Sequence, residues 1–254
     1  ERLVRNPDDI PDDPNISDNV FLRNVRYANS SPDGAVYVSL AAFFDPTSPP
    51  DFRGGGQPYD GGRFLPESGF LTEGGSSTST NAYQGDLQAQ SQSHNVNVIA
   101  DFEFSPAFDL FLEAKYVKSK SFSVSQPSFL TGNFIQADNP FIPQAIRDAI
   151  APGNFGLFGL PDGVLMLRDN FDMGTRDERL NRDLFRGVLG LRGEIGDHAR
   201  YEVSYTYGRN KTRFNSENYR LEDRFFAALD AVDEGQFLTG TPNGNIRCRA
   251  DLTG

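Results

Sequence analysis

A chain of 254 residues with 35 acidic and 24 basic side chains carries a net charge of -11. That balance argues against nucleic-acid binding, because affinity for phosphate rests on Lys and Arg. Mean hydropathy is -0.49 and no run approaches the ~20 apolar residues of a spanning helix, which excludes helical membrane spans but not half-apolar membrane strands.

Residues 1–92 hold nine of the 16 prolines and ten of the 25 glycines, with thirteen acidic against six basic side chains. Asp8, Asp9, Asp12 and Asp13 alternate with prolines that can continue neither a helix nor a ladder. Two short strand-like pieces, 20–27 and 35–43, flank Pro32-Asp33-Gly34, a hairpin turn by composition. Residues 74–80 are Gly, Ser and Thr and are expected to form a mobile tip. The whole segment reads as a disordered stretch or as an elaborate surface loop carrying a short hairpin.

From residue 93 the chain alternates. Val96, Val98, Ala100, Phe102 and Phe104 share one face, with Ile99 the break on the other. A Ser105-Pro106-Ala107 turn sends the chain back with Leu110, Leu112, Ala114 and Tyr116 on one side. Residues 93–123 are therefore a hairpin, since side chains on a strand have period two.

An irregular excursion over 124–165 follows, with a short helix beginning at Pro143, which the first helical turn tolerates. A second hairpin spans 166–213. Phe185, Gly187, Leu189, Leu191 and Ile195 alternate with polar residues, a turn occupies 196–199, and Tyr201, Val203, Tyr205 and Tyr207 line one face of the return. The last segment, 214–254, is a loop with a helical pattern at Leu221, Phe225, Ala228, Leu229 and Val232.

Short turns at one end of the hairpins and long loops at the other characterise an outer-membrane barrel. The alternating runs are about ten residues each, matching the ~9–11 needed to cross a bilayer at a tilt. The fold class expected is all-β: an antiparallel transmembrane barrel segment with long loops carrying short helices. The chain opens on Glu1-Arg2-Leu3 without an initiator Met and closes in a loop, so it reads as an internal piece of a longer protein.

Chemical motifs are few. His94 and His198 lack a second ligand at zinc spacing, and no phosphate loop, nucleophile elbow or HExxH is present. Gly54-Gly55-Gly56 lacks the strand and helix that a dinucleotide site requires. The acidic groups Asp8 to Asp13, and Asp45, Asp51 and Asp60, match no EF-hand spacing and read as solvated loop rather than a calcium cage. Cys248 is the only cysteine: an inert thiol, or half of a bridge to a partner outside this segment. No catalytic residue, metal ligand or cofactor is expected, and the chain reads as a binder rather than an enzyme.

Five runs in order carry a resemblance: FSPAFDLFLEAKYV at 104–117, DNPFIP at 138–143, RDNFD at 168–172, DHARYEVSY at 197–205 and RLEDRFFAALDAV at 220–232. Together they look like barrel hairpins and loops of TonB-dependent outer-membrane receptors. The resemblance covers about 93–232 well. It implies a many-stranded barrel in outer-membrane lipid of a Gram-negative bacterium, with loops outside and an N-terminal plug reached by the TonB energy-coupling protein. It also implies uptake of a scarce nutrient, a ferric siderophore, cobalamin, an oligosaccharide or similar. This chain has no coupling box, plug or C-terminal aromatic strand end, so it would be a middle portion of such a barrel.

On that reading Asn95, Asn97, Asp101, Glu103, Glu113 and Lys115 line the wet interior from the first hairpin. Arg186, Arg192, Glu194, Glu202, Ser204 and Thr206 line it from the second. Phe52, Tyr59 and Phe64 are the loop aromatics suited to a planar or sugar ligand, with internal anchoring as the other use of such rings. The alternative function is a soluble cell-surface β-domain for adhesion or carbohydrate binding. A glycosidase would need two converging carboxylates, and no pair stands out.

Overall fold

The structure is a computed structural model that describes residues 1–65, 68–83, 85–196 and 199–253. Short strands come first: β1 (Arg2–Arg5), β2 (Asn19–Leu22), β3 (Val25–Tyr27) and β4 (Ala35–Tyr37). Helix α1 (Leu40–Phe44) precedes β5 (Phe52–Arg53), β6 (Arg63–Phe64) and β7 (Leu71–Glu73). Then come β8 (Gln90–Ser105), β9 (Phe108–Pro127), β10 (Phe129–Gln136), α2 (Gln144–Ala149) and β11 (Gly163–Asp169). Strands β12 (Thr175–Ile195) and β13 (Ala199–Glu217) lead into α3 (Glu222–Leu229), β14 (Ala231–Asp233), α4 (Glu234–Thr239), β15 (Ile246–Cys248) and α5 (Arg249–Thr253). Strand is the dominant structure and its assigned pairings are antiparallel.

The chain divides into two compact units. Residues 85–125 and 175–218 form one, and residues 1–84, 126–174 and 219–254 the other. The three segments of the second join the hairpins at the ends away from the turns.

The hairpin unit is an open four-stranded sheet in the order β13-β12-β9-β8. Both expected hairpins are present, the second starting at Thr175 rather than 166 because Gly163–Asp169 pair with β10 and β4 instead, and the pairing keeps like with like. Val96 lies opposite Tyr116, Val98 opposite Ala114 and Ala100 opposite Leu112, while Asn97 faces Lys115. In the second hairpin Leu189 faces Tyr205 and Leu191 faces Val203, while Arg192 faces Glu202. The expected turn at 196–199 contains Asp197 and His198, which lie outside the described residues.

The strands are twice the expected length, at 16, 20, 21 and 19 residues. Alternation marks only the amphipathic half of each; beyond it polar residues predominate on both faces, with Phe122, Val124, Leu180 and Phe214 scattered among them at no regular period. The excursion 124–165 also contains strands, because β10 and β11 pair over Phe129–Gln136 and Gly163–Asp169.

The other unit has its own cores. A sheet ordered β10-β11-β4-β5 is covered on both faces. Ala35, Tyr37, Leu165 and Leu167 pack on one side with Tyr59 and Phe155. Val36 and Val164 pack on the other with Ile142 and Ile146. A third cluster joins Val4, Val25, Leu65 and Leu71.

Two local expectations fail here. Residues 20–27 and 35–43 are not a hairpin: β3 pairs with β7, and β4 lies between β5 and β11. The turn at Gly34 exists, with its N–H donating to Ser31 O, but Ala35, Val36 and Tyr37 are fully buried and need strands on both sides. Residues 40–44 coil as α1 because the Ser39 side chain accepts from Ala42 N and caps the first turn. The expected mobile tip 74–80 is packed instead, with Ser77 and Thr78 buried.

Helices α2 and α3 form as expected. The last segment is held by Arg249, whose Nε donates to Asp230 at 3.0 Å and whose Nη2 donates to Asp138 at 2.7 Å. Its guanidinium also lies over the Phe237 ring. Arg249→Ala removes this clamp and is expected to cost about 1.5–3 kcal/mol, the range for hydrogen bonds to charged groups. Limited proteolysis should then cut within 219–254 faster than in wild type, with Arg249→Lys intermediate because an ammonium cannot fork. Unchanged cleavage would show that the clamp holds nothing.

Candidate functional site

The hairpin sheet has two chemically opposite faces. On one, Val96 to Phe104, Phe108 to Tyr116, Phe185 to Ile195 and Tyr201 to Tyr207 present their alternate residues as a continuous apolar band. Among the described residues nothing covers it: Val203 is 68% exposed, Tyr205 72% and Phe102 59%. Soluble monomers rarely leave so large an apolar patch open.

The band has internal order. Phe102, Phe104 and Phe108 stack edge to face at the turn end, with centroids 4.5 and 5.8 Å apart. Tyr116, Phe185 and Tyr207 mark the other rim, and Ala, Val and Leu fill most of the middle. Tyr201, at the turn end, crosses its rung partner Gly193 and donates to Ala107 O at 2.8 Å. A methyl at Gly193 would strike that carbonyl, so glycine is required for the close approach. The rise from Val96 to Phe104 is roughly 27 Å along the strand, or about 20 Å across a layer at a tilt near 40°.

All twelve polar residues expected on the opposite face share that face by register. They are joined across the hairpins. Arg192 bridges Asp101 at 2.7 Å and Asp109 at 2.6 Å, and Arg186 reaches Glu113 at 3.6 Å. These pairs are half-exposed, so each is worth little alone; what they provide is registry between β9 and β12. Phe111 also lies on this face, over Gly190, in the space that a side chain there would fill.

The loop aromatics are used differently. Tyr59 is buried in the core and donates to Ser77 Oγ at 2.9 Å. Burial raises its phenol to about 12, so it stays a neutral donor. Phe52 packs against the Val36 cluster. Phe64 is half-buried beside a small cavity of about 70 Å³.

A larger cleft, of about 360 Å³, is lined by Tyr27, Phe43, Tyr83 and Phe129, with Asn29, Ser30 and Gln126 among its polar groups. Asp169 lies at its base and is 1% exposed. Its carboxylate accepts from Ser30 Oγ at 2.6 Å and from Thr78 Oγ1. Burial raises the pKa of this carboxyl, against the two hydroxyls that lower it. The network joins residues far apart in the chain and has no local signature, so sequence reasoning missed it. A second cavity of about 300 Å³ between α2, α3 and the sheet is nearly all apolar.

Among the described residues no group of three His, Cys, Asp or Glu could hold a metal ion. No helix is long and apolar enough to cross a membrane, which says nothing of strands. Comparison with known proteins finds no matching family model, curated protein or solved structure.

Proposed function

We propose that this chain is part of a TonB-dependent outer-membrane receptor-transporter, a segment of barrel wall with its outer loops. The observation that carries the reading is the uncovered apolar band, rimmed by aromatics and backed by a wholly different polar face. Outer-membrane barrels have an apolar belt ~25 Å tall with aromatic girdles and a polar interior. Lipid is the partner that satisfies such a face; water does not.

In this reading the Arg192 and Arg186 ion pairs face the wet interior, and the second unit meets the nutrient outside. The cleft framed by Tyr27, Phe43, Tyr83 and Phe129 suits a ligand with flat apolar faces, held by Asn29 and Gln126. Uptake is binding and gating driven through the plug and TonB, with no bond made or broken by these residues. The three cores of the second unit favour the other reading, a cell-surface binding domain, but that reading leaves the band without a partner.

Cysteine accessibility separates the two. With Cys248 replaced by Ser, Val203→Cys and Tyr205→Cys should resist aqueous thiol reagents in membranes, while Ser204→Cys and Thr206→Cys react freely. Equal labelling on both faces would sink the membrane reading and leave the soluble domain.

A further inference from the structure

Above the apolar band the same face of the sheet turns basic. Two and four residues beyond Tyr116 stand Lys118 and Lys120; two, four and six beyond Tyr207 stand Arg209, Lys211 and Arg213. The register puts all five on the band's own face. Two contacts confirm that this face is continuous between the hairpins: Tyr116 Oη donates to Asp183, and Arg179 lies over the Phe122 ring.

All five cations are exposed, and among the described residues none forms a salt bridge, whereas Arg179 on the same face is paired with Glu217. The other face at this height is uncharged on three strands, with Ser91, Ser93, Ser119, Ser121, Asn210 and Thr212, and carries Arg182 and Glu178 on β12. The cations' own face also carries Asp183, opposite Lys211, and the acids Asp177 and Glu217 further out, so its cations outnumber its acids six to three. In a chain of net charge -11 that excess, on β9 and β13 just beyond the band, calls for a counter-charge. A lipid layer supplies it at that height, because headgroup phosphates begin where the hydrocarbon ends.

We propose that Lys118, Lys120, Arg209, Lys211 and Arg213 form a docking belt for the phosphate headgroups of the membrane lipid next to the band. This rests on the membrane reading of the band. The long stems of Lys and Arg lie along apolar surface while their charges reach the phosphates. The belt stands at the loop end of the hairpins, so it adjoins the outer leaflet, and a phosphorylated glycolipid is the headgroup class it meets.

The test uses the whole chain in zwitterionic detergent micelles, titrated by calorimetry with lipid A bearing two phosphates and with its dephosphorylated form. The phosphorylated lipid should bind tighter by about tenfold or more, since each cation near an anionic surface adds to the attraction. Added salt should erode the difference. Changing all five to Gln should abolish it, and exchanging Lys for Arg and Arg for Lys should restore it, which separates charge from folding. Equal affinity for both lipids, or a Gln variant that keeps the preference, overturns the proposal. Competition by inorganic phosphate as effective as the lipid itself would also overturn it, leaving only an ion site. Cysteine shielding at Val203, measured in the same micelles, keeps the two readings apart. Shielding without phosphate preference defeats the belt alone, and free labelling of Val203→Cys defeats both.

Discussion

Leu189→Arg should destabilise the chain in lipid vesicles by about 2–4 kcal/mol, the cost of a cation at the bilayer midplane on a barrel's outer face. Leu189 lies mid-band opposite Tyr205 and is half-exposed. In water the same change at an exposed site away from any core should stay within about 0.5 kcal/mol of neutral. The two environments therefore predict different outcomes for one substitution. Ser204→Arg, on the polar face opposite Gly190, is the control and should be near neutral in both. Urea unfolding of each variant in vesicles reads the difference. Equal effects of the two substitutions would mean that the band does not touch hydrocarbon.

The second large effect is expected at Asp169. Asp169→Ala leaves the Ser30 and Thr78 hydroxyls without their acceptor at the nearly closed base of the cleft, at a cost of about 1–3 kcal/mol. Its pH dependence has an unusual sign. The native carboxyl has a raised pKa, so on acidification the folded state takes up its proton before the unfolded state does. The contribution is complete below the unfolded value of 3.8 and is lost as pH rises through the native one. The stability gap between wild type and Asp169→Ala should therefore widen as pH falls through that window. Thermal unfolding across acidic pH measures it, and a narrowing gap would contradict the burial argument.

Asp233 behaves in the opposite way. Its carboxylate accepts from the N–H groups of Gln236, Asn243 and Gly244, and these hold its pKa down. The contribution of that loop is present above the unfolded value and lost as pH falls through the native one. Two aspartates in one unit thus respond oppositely to acid because one is desolvated and the other is ringed by donors.

Much of the hairpin sheet was legible residue by residue. Val96 to Phe104 and Tyr201 to Tyr207 alternate, and the register joins apolar to apolar as the pattern implies. Strand length was not legible, since Gln90 to Asn95 are polar on both faces, and so are Asn210 to Glu217 but for Phe214, and both stretches look like loop. The first 92 residues misled for a different reason. Their strands are two to four residues long, and β4 takes its partner from β11, far along the chain. Tyr59 and Thr78 read as loop residues because burial there is set by segments that sequence neighbours do not reveal.

By itself the sequence determined which side of each long strand is apolar, where the chain reverses, and where α2 and α3 coil. These follow from backbone period and local turn chemistry, which act within a few residues. Only the tertiary structure decided that residues 1–84 and 126–174 share cores, and that Asp169 is buried among hydroxyls from distant loops. It alone aligned Lys118 and Lys120 with Arg209, Lys211 and Arg213 above one band. Those outcomes depend on which strands pair across long stretches of chain, and no local pattern encodes that choice.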